Sequence, residues 1–579
     1  MKTEQAEQHL VYIHAAASIS SLGHGVSGVD AFTKAQHASS LSEPVDCFFQ
    51  GIPKPTTFLD STLEETVTTL NENYQRIYQL LSQTIDQIID DQSLTAQQLA
   101  QTSLFLGSSS MDIGAVTSDD EKIIWLTYLD HINQYLIKKH GLHSLNFTFS
   151  TACTSSANAL IYACRLLKTG QINKALVIGC EFYNQLTLQG FSCLELLSKQ
   201  GLHAFSKDRD GMILGEGVGA LLLSTQAQGN DQLALLDGYS SCDTYSLTST
   251  AEDGSKIAEV ITKALVLSGI SAADIDLIKA HGTASPASDS AEVKALGSIF
   301  SNKVNALALK PFIGHTLGAC GVLEIALLAE LVKQDFMPVA DYVLVENKNV
   351  KSKTSHLLWP LVNANQSFST VDYILANHCG FGGNNAALVL KNISSKKAYQ
   401  KKNLQIKPTA IQTLSSAQVS YDAAINNKAL RKIIKKITGF EVRRMDNFTL
   451  ISLQALQSLF TSKELQSIDL THAQLGLYGV GDYFSVELLQ SLVLSVEKGE
   501  DVRPLDFISS VGNSANFYLA KQFAIKGVNL FMGASQEAVS KTQLLAQSDL
   551  ALGIVDYAVL VHWQQDETTI ECQVSLLSR

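Results

Sequence analysis

HSLNFTFSTACTSSA, residues 143–157, followed without a break by NALIYACRLL to Leu167, decides how the chain is built. Asn146 to Phe149 reads as a short strand, the small residues after it make a turn, and apolar positions then recur at helical spacing. Cys153 stands at that strand-to-helix junction. The positive end of a helix favours a thiolate, which is a nucleophile, and the backbone N–H groups of the turn can hold a developing oxyanion. Taken alone, the pattern suits a small packed cysteine equally well.

Working outward, short apolar runs alternate with amphipathic stretches from Val11 to Leu390. They are VYIHAAASI (11–19), the helical pattern of 62–91, LFLG (104–107), KALVIG (174–179), GALLLS (219–224), LIKAHG (277–282), NALAL (305–309), the helical 318–333, YILANH (373–378) and AALVLK (386–391). Strands separated by helices predict an α/β layered fold with a mainly buried sheet, with function in the loops at strand ends. NISSKKAYQKKN (392–403) is polar, basic and aperiodic, and reads as a linker between a unit at 1–391 and a second at 404–579.

The second unit repeats the first. KGVNLFMGASQEA (526–538) aligns with residues 143–155 on Asn529 and Asn146, an offset of 383. With that offset held and no gap, Gly170 falls on Gly553, ALVIG (175–179) on AVLVH (558–562), and Tyr135 to Gly141 on Tyr518 to Ala524. Cys153 falls on Gln536, which cannot be acylated.

Composition narrows the class. The chain has 579 residues, 46% hydrophobic and 17% charged, with 9 prolines, which excludes disorder and fibre. The opening MKTEQAEQHL is polar and no charge-free apolar run approaches about 18 residues, so a cytoplasmic protein without a membrane span is expected. Nine widely spaced cysteines without a CxxC pair predict neither a zinc site nor a redox couple. The net charge of -12 argues against nucleic-acid binding. Residues 1–395 hold 24 basic and 38 acidic side chains, and 396–579 hold 19 and 17. The 12 basic residues of 396–444 face only Asp422 and Glu441, as a solvated face or a docking surface for an acidic partner.

Three further constellations accompany Cys153. HGTASPASDSAEVKAL (281–296) places His281 after an apolar run; LKPFIGHTLGACGVLEIALL (309–328) has Lys310, His315 in a Gly-rich turn, and Glu324 on a helix; NHCGFGGNNAALVL (377–390) carries glycines 380, 382 and 383. With DRDGMILGEG (208–217), these motifs make residues 10–391 resemble the β-ketoacyl-acyl carrier protein synthases of the elongating Cys-His-His class, in the thiolase superfamily. The resemblance implies an α/β thiolase fold, layered αβαβα from two related halves, here with an extra C-terminal α/β half-domain.

It also implies roles. Cys153 would take the acyl chain from a phosphopantetheine thioester, and His281 and His315 would polarise the malonyl thioester so that loss of carbon dioxide leaves an enolate. Neutral imidazoles donating from Nε2 suit that role. Lys310 and Glu324 would tune the histidines, Thr283 and Ser285 would bind the pantetheine arm, and the N–H groups of Cys153 and Phe381 would form the oxyanion hole, Phe381 also gating acyl entry. The partner implied is an acyl carrier protein, which brings the phosphopantetheine, so that no metal or free cofactor is needed; a homodimer built on the N-terminal half is implied as well. Ser285 stands where threonine is more usual, Ser206 where aspartate is common, and Cys379 where the family has phenylalanine, which reshapes the acyl pocket. A second cysteine in a C-terminal Gly-rich loop is also a thiolase feature, but thiolases lack the two histidines in these contexts.

Glutamine in place of the nucleophile marks chain-length-factor partners of polyketide synthases, and EVRRMDNFTLISLQALQSLF (441–460) resembles a ketosynthase N-terminal helix. Residues 404–579 reach no equivalent of the HGT, GHT or GFGG loops, so they are expected to be a structural accessory without a complete site, or a relic covering apolar surface. Aryl polyene synthesis is one pathway type using such divergent synthases. The competing expectation for the whole chain is a silent partner subunit. For carrier docking, Lys138, Lys139, Arg431, Lys432, Lys435 and Lys436 are the candidates.

Overall fold

The computed structural model describes residues 10–24, 49–50, 72–113, 129–301, 304–343, 356–363, 366–395, 411–443, 445–470, 472–481 and 486–579. The apolar runs become strands of one mixed sheet. In the first unit these are β1 (Val11–Ser20), β2 (Thr102–Gly107), β3 (Asn146–Phe149), β4 (Lys174–Glu181), β5 (Gly217–Ser224), β6 (Leu233–Cys242), β7 (Leu277–Lys279), β8 (Ala306–Leu307), β9 (Tyr373–Cys379) and β10 (Asn384–Asn392). In the second they are β11 (Gln412–Asp422), β12 (Leu475–Gly481), β13 (Asn529–Gly533), β14 (Tyr557–Gln565) and β15 (Thr569–Ser578). Their spatial order is β8-β7-β9-β10-β6-β1-β5-β4-β2-β3-β13-β12-β14-β15-β11, with the short strand Gly23–His24 folded back on β1.

That order contains the repeat. β3-β2-β4-β5-β1 and β13-β12-β14-β15-β11 have the same connectivity and meet head to head, where β3 pairs antiparallel with β13 through Phe149 with Met532 and Thr148 with Gly533. The helices repeat too. α1 (Glu72–Gln92), α2 (His131–His140) and α3 (Ser155–Lys168) are followed by α4 (Gln185–Cys193), α5 (Pro286–Ile299) and α6 (Cys320–Gln334); in the second unit come α7 (Asn447–Phe460), α8 (Ser514–Gln522) and α9 (Ala538–Ala551). α2, α3 and β4 begin 383 residues before α8, α9 and β14, as the ungapped alignment requires.

α3 packs on β2 and β4 on one side and on β6 and β10 on the other, with α6 against it. It is buried from Ser155 to Leu167, so it forms the middle layer between two strand groups. The sequence reading passed over β6, LALLDGYSSC, because Asp237 and Gly238 interrupt its apolar run. Inside the fold Asp237 is paired with Lys168 (2.8 Å), which removes the cost of its charge.

The junction between units is polar at its centre. Asp549 of α9 accepts from Arg165 Nη1 (2.6 Å), from the Tyr162 hydroxyl (2.5 Å) and from the Tyr478 hydroxyl (2.6 Å), all buried. Among the described residues no helix is long and apolar enough to cross a membrane. β10 continues through Asn392, and most of the segment read as a linker, with Cys47 and the first nine residues, lies outside the described residues.

Candidate active site

Cys153 lies in a single helical turn, Ala152–Thr154, between β3 and α3. Ala152 takes φ of 51°, a left-handed conformation that costs an L residue on the order of 1 kcal/mol. The thiol is buried, and burial pushes it above its ordinary value, with nearby Cys320 acting in the same direction; the Phe381 N–H, which hydrogen-bonds the thiol, and Lys310 act against that. Burial thus acts on the thiol in the direction opposite to that expected of the helix end.

His281 begins the loop after β7, and two carboxylates of α5 hold that loop. Glu292 accepts from the N–H groups of His281 (2.8 Å) and Gly282 (3.0 Å) and from Asn377 Nδ2 (2.7 Å). Asp289 accepts from Thr283 N–H and Ala284 N–H, both at 3.1 Å. His315 follows Gly314, whose φ of 71° turns the chain, and its backbone is bracketed by the Ile213 carbonyl (2.7 Å) and the Gly215 N–H (3.0 Å). The DRDGMILGEG stretch therefore braces the His315 turn, and its glycine at 215 must lack a Cβ, which would run into the Ile313 carbonyl.

The two imidazoles lie 5.3 Å apart, ring to ring, at 87°. Burial, then the charge of Lys310, holds both well below the ordinary histidine value, so both rings are neutral at neutral pH. Lys310 Nζ donates to Glu324 Oε1 (2.7 Å), as expected for that pair. Lys279 donates to the other oxygen, Oε2, and lies against the His378 ring (3.3 Å). Sequence reasoning missed Lys279, His378, Asp289 and Glu292. The two acids were visible as polar residues i, i+3 on a helix directly after HGT; the lysine and histidine have no spacing that links them.

One cleft of about 900 Å³ is lined by Cys153, His281, His315, Thr283, Ser285, Phe381 and Cys379. Of the expected catalytic and substrate-binding residues, all except the Lys310 and Glu324 pair behind the histidines therefore face one space. A mostly apolar cavity of about 670 Å³ meets the cleft at Cys153 and Phe381, and Leu489, Phe507 and Val511 of the second unit form part of its wall. The Phe381 ring stacks on Phe191 (5.2 Å), which meets Phe507 edge-on (5.7 Å). The Cys379 thiol is pushed well up by burial, which suits a packed side chain filling a missing ring's place rather than an acid/base group. Gln536, at the equivalent of Cys153, is exposed.

The family model for the β-ketoacyl synthase N-terminal domain matches residues 17–229, and that for the C-terminal domain matches 233–340, together more than half the chain. The chain belongs to the β-ketoacyl synthase family. It is 31% identical over 270 residues to a 3-oxoacyl-[acyl-carrier-protein] synthase 2 of Vibrio cholerae, covering 44% of this chain and 64% of that protein. It is 31% identical over 269 residues to the enzyme of the same name in Rhizobium meliloti, covering 44% and 62%. These alignments span a little under two thirds of the relatives' own length. Among solved structures, the ketosynthase ApeO in complex with its chain length factor ApeC from Xenorhabdus doucetiae is similar with TM-score 0.55 and 24% identity, over 66% of this chain and 98% of that one. The PfaC keto synthase-chain length factor is similar with TM-score 0.74 and 14% identity, over 98% of this chain and 78% of that one. Both likenesses concern the fold, which is the thiolase type of β-ketoacyl synthases.

Proposed function

We propose that this family member is a β-ketoacyl-acyl carrier protein synthase. Cys153 exchanges its proton for an acyl group, releasing the free thiol of the carrier's phosphopantetheine. Malonyl carrier protein then enters, loses carbon dioxide, and its enolate carbon attacks the acyl carbonyl. The Cys153 thiolate leaves and takes up a proton, giving β-ketoacyl carrier protein.

The observation carrying this reading is one cleft that holds the Cys153 thiol, two neutral imidazoles and the Phe381 N–H, and that opens at Cys153 into an apolar cavity. Neutral rings are donors suited to an enolate oxyanion, and the cavity suits an acyl chain. Thr283 and Ser285 are assigned to the pantetheine arm. The silent-partner reading is disfavoured because a non-catalytic subunit has no use for all three of Cys153, His281 and His315. The basic side chains Lys138, Lys139, Arg431, Lys432, Lys435 and Lys436 remain the proposed docking points for an acidic carrier, with binding that weakens as salt rises. Aryl polyene synthesis and a cytoplasmic setting are part of the proposal. A homodimer is proposed only through a surface other than the β3 edge, which the chain's own β13 occupies.

Intact-mass analysis after incubation with short, medium and aryl-enoyl carrier protein tests the reading. The expected result is a mass gain absent from Cys153→Ala, and ketoacyl product once malonyl carrier protein is added. No acylation by any primer would overturn it in favour of the silent partner.

A further inference from the structure

The loop Gly380–Gly383 that carries the gate is tied down residue by residue. The Gly380 N–H donates to the Asn384 carbonyl (2.7 Å), the Gly382 N–H to the Leu247 carbonyl (2.7 Å), and the Asp243 N–H to the Gly383 carbonyl (2.6 Å). The Phe381 carbonyl accepts from Nδ2 of Asn513, at 3.2 Å, and Asn513 belongs to the second unit. Asn513 is fully buried. Gly382, at φ of 73°, makes room for it, because a Cβ there would strike the Asn513 amide. Phe381 thus has its N–H on the nucleophile and its carbonyl held from across the junction.

The internal repeat supplies a control. At the offset of 383 Asn513 falls on Asp130, and each immediately precedes an equivalent helix, α8 or α2, without capping it through the side chain. Asp130 reaches across the same junction in the other direction: its Oδ2 accepts from the Ser535 N–H (3.1 Å), in the turn before α9. Where the group across the junction is an N–H, the chain has an acceptor; where it is a carbonyl, it has a donor. A helix start accepts aspartate and asparagine alike, so helix capping does not explain the difference, whereas the opposite polarity of the two targets does.

Building on the acyl-transfer reading above, we propose that Asn513 is a positioning residue for that step. By fixing the Phe381 carbonyl it aims the Phe381 N–H at the oxygen of the reacting thioester, so the oxyanion hole of the first unit is completed by a side chain of the second. Misaiming one preorganised donor weakens charge stabilisation in acyl transfer. Decarboxylation, which depends on His281 and His315, depends on it less.

The test is the time course of Cys153 acylation by a short-chain acyl carrier protein, followed by intact mass, beside malonyl decarboxylation and the melting temperature. Asn513→Ala, Asn513→Asp and Asn513→Ser are compared with wild type. Acylation should slow about tenfold or more in Asn513→Ala and in Asn513→Asp, and by at least about fivefold more than decarboxylation does. Asn513→Asp keeps the shape and the helix start but loses the donor and buries an unpaired carboxylate, so it should melt lower than wild type and its rates are compared well below its melting temperature; Asn513→Ser, which retains a donor, should recover part of the rate. Acylation of Asn513→Asp at the wild-type rate would overturn the proposal, as would equal losses in both activities. If wild type itself is not acylated, the acyl-transfer reading falls and this inference with it; if wild type is acylated and the variants match it, only this inference falls.

Discussion

Cys153 and Gln536 occupy the same step of two copies of one strand, turn and helix, yet the first is buried under a cleft and the second is exposed. The turn is therefore not the site. What makes it one is the other half of the fold, which brings the loops after β7 and β9 and the His315 turn over Cys153; no such loops cover Gln536 among the described residues. The two copies also differ in how their sheets meet water. Every residue of β5 is buried, and α6 lies on one of its faces, where Leu323 leaves no room for a side chain at Gly219. In the equivalent β15, Ile570, Cys572, Val574 and Leu576 are buried while Glu571, Gln573 and Ser575 point to a face that no helix covers among the described residues. The outer strand β11 follows suit, with Gln412, Ser416, Gln418, Ser420 and Asp422 exposed. Alternation of this kind belongs to a half-sheet with one side in solvent.

The largest effect should come from removing one side of the comparison. A chain ending at Ser395 exposes the β3 edge, with its unpaired N–H and C=O groups, and leaves the buried Arg165 without Asp549. Open apolar edges of this kind aggregate. Such a chain should leave the soluble fraction, as read by light scattering after expression, and a soluble product acylated at the wild-type rate would break the idea that the second unit completes the first. A smaller effect isolates the polar centre. Asp549→Ala removes the acceptor of Arg165, Tyr162 and Tyr478 together, and stranding a buried charge costs about 3–5 kcal/mol. Denaturant unfolding should show that loss, with a smaller one for Asp549→Asn, which keeps an acceptor oxygen. A shift under about 1 kcal/mol for Asp549→Ala would mean that this polar cluster adds little to the junction.

Much of this was legible in the sequence, because the repeat is ungapped and the catalytic motifs are local. The 383-residue offset fixed the starts of α8, α9 and β14 from those of α2, α3 and β4, and the HGT and GHT turns announced the two histidines. Groups that meet only through the tertiary fold were not legible. β3 against β13 is a pairing of sheet edges separated by nearly 400 residues, and no local pattern announces an edge's partner. Lys279 against His378 is likewise a meeting of neighbouring strands, β7 and β9. The burial that pushes the Cys153 thiol up was hidden for a related reason: a sequence displays the helix that follows the thiol, but its burial is a property of the assembled layers.

The finest distinction concerns the two faces of the repeated sheet. If β15 stands in solvent on one side, Gln573→Ala removes an exposed polar side chain and should change stability by no more than about 0.5 kcal/mol. Leu221→Ala, on β5 in the first unit, empties a fully buried position and should cost about 2–5 kcal/mol by the same denaturant measurement. The ratio matters more than either value. Should Gln573→Ala approach the cost of Leu221→Ala, the outer face of β15 must be covered in solution, and the second unit would then be presenting a surface to another molecule as well as closing the edge of β3. Should the two differ as expected, the polar alternation of β15 is explained by water alone, and the second unit's business with the active site is confined to the junction, where Phe507 and Asn513 reach across.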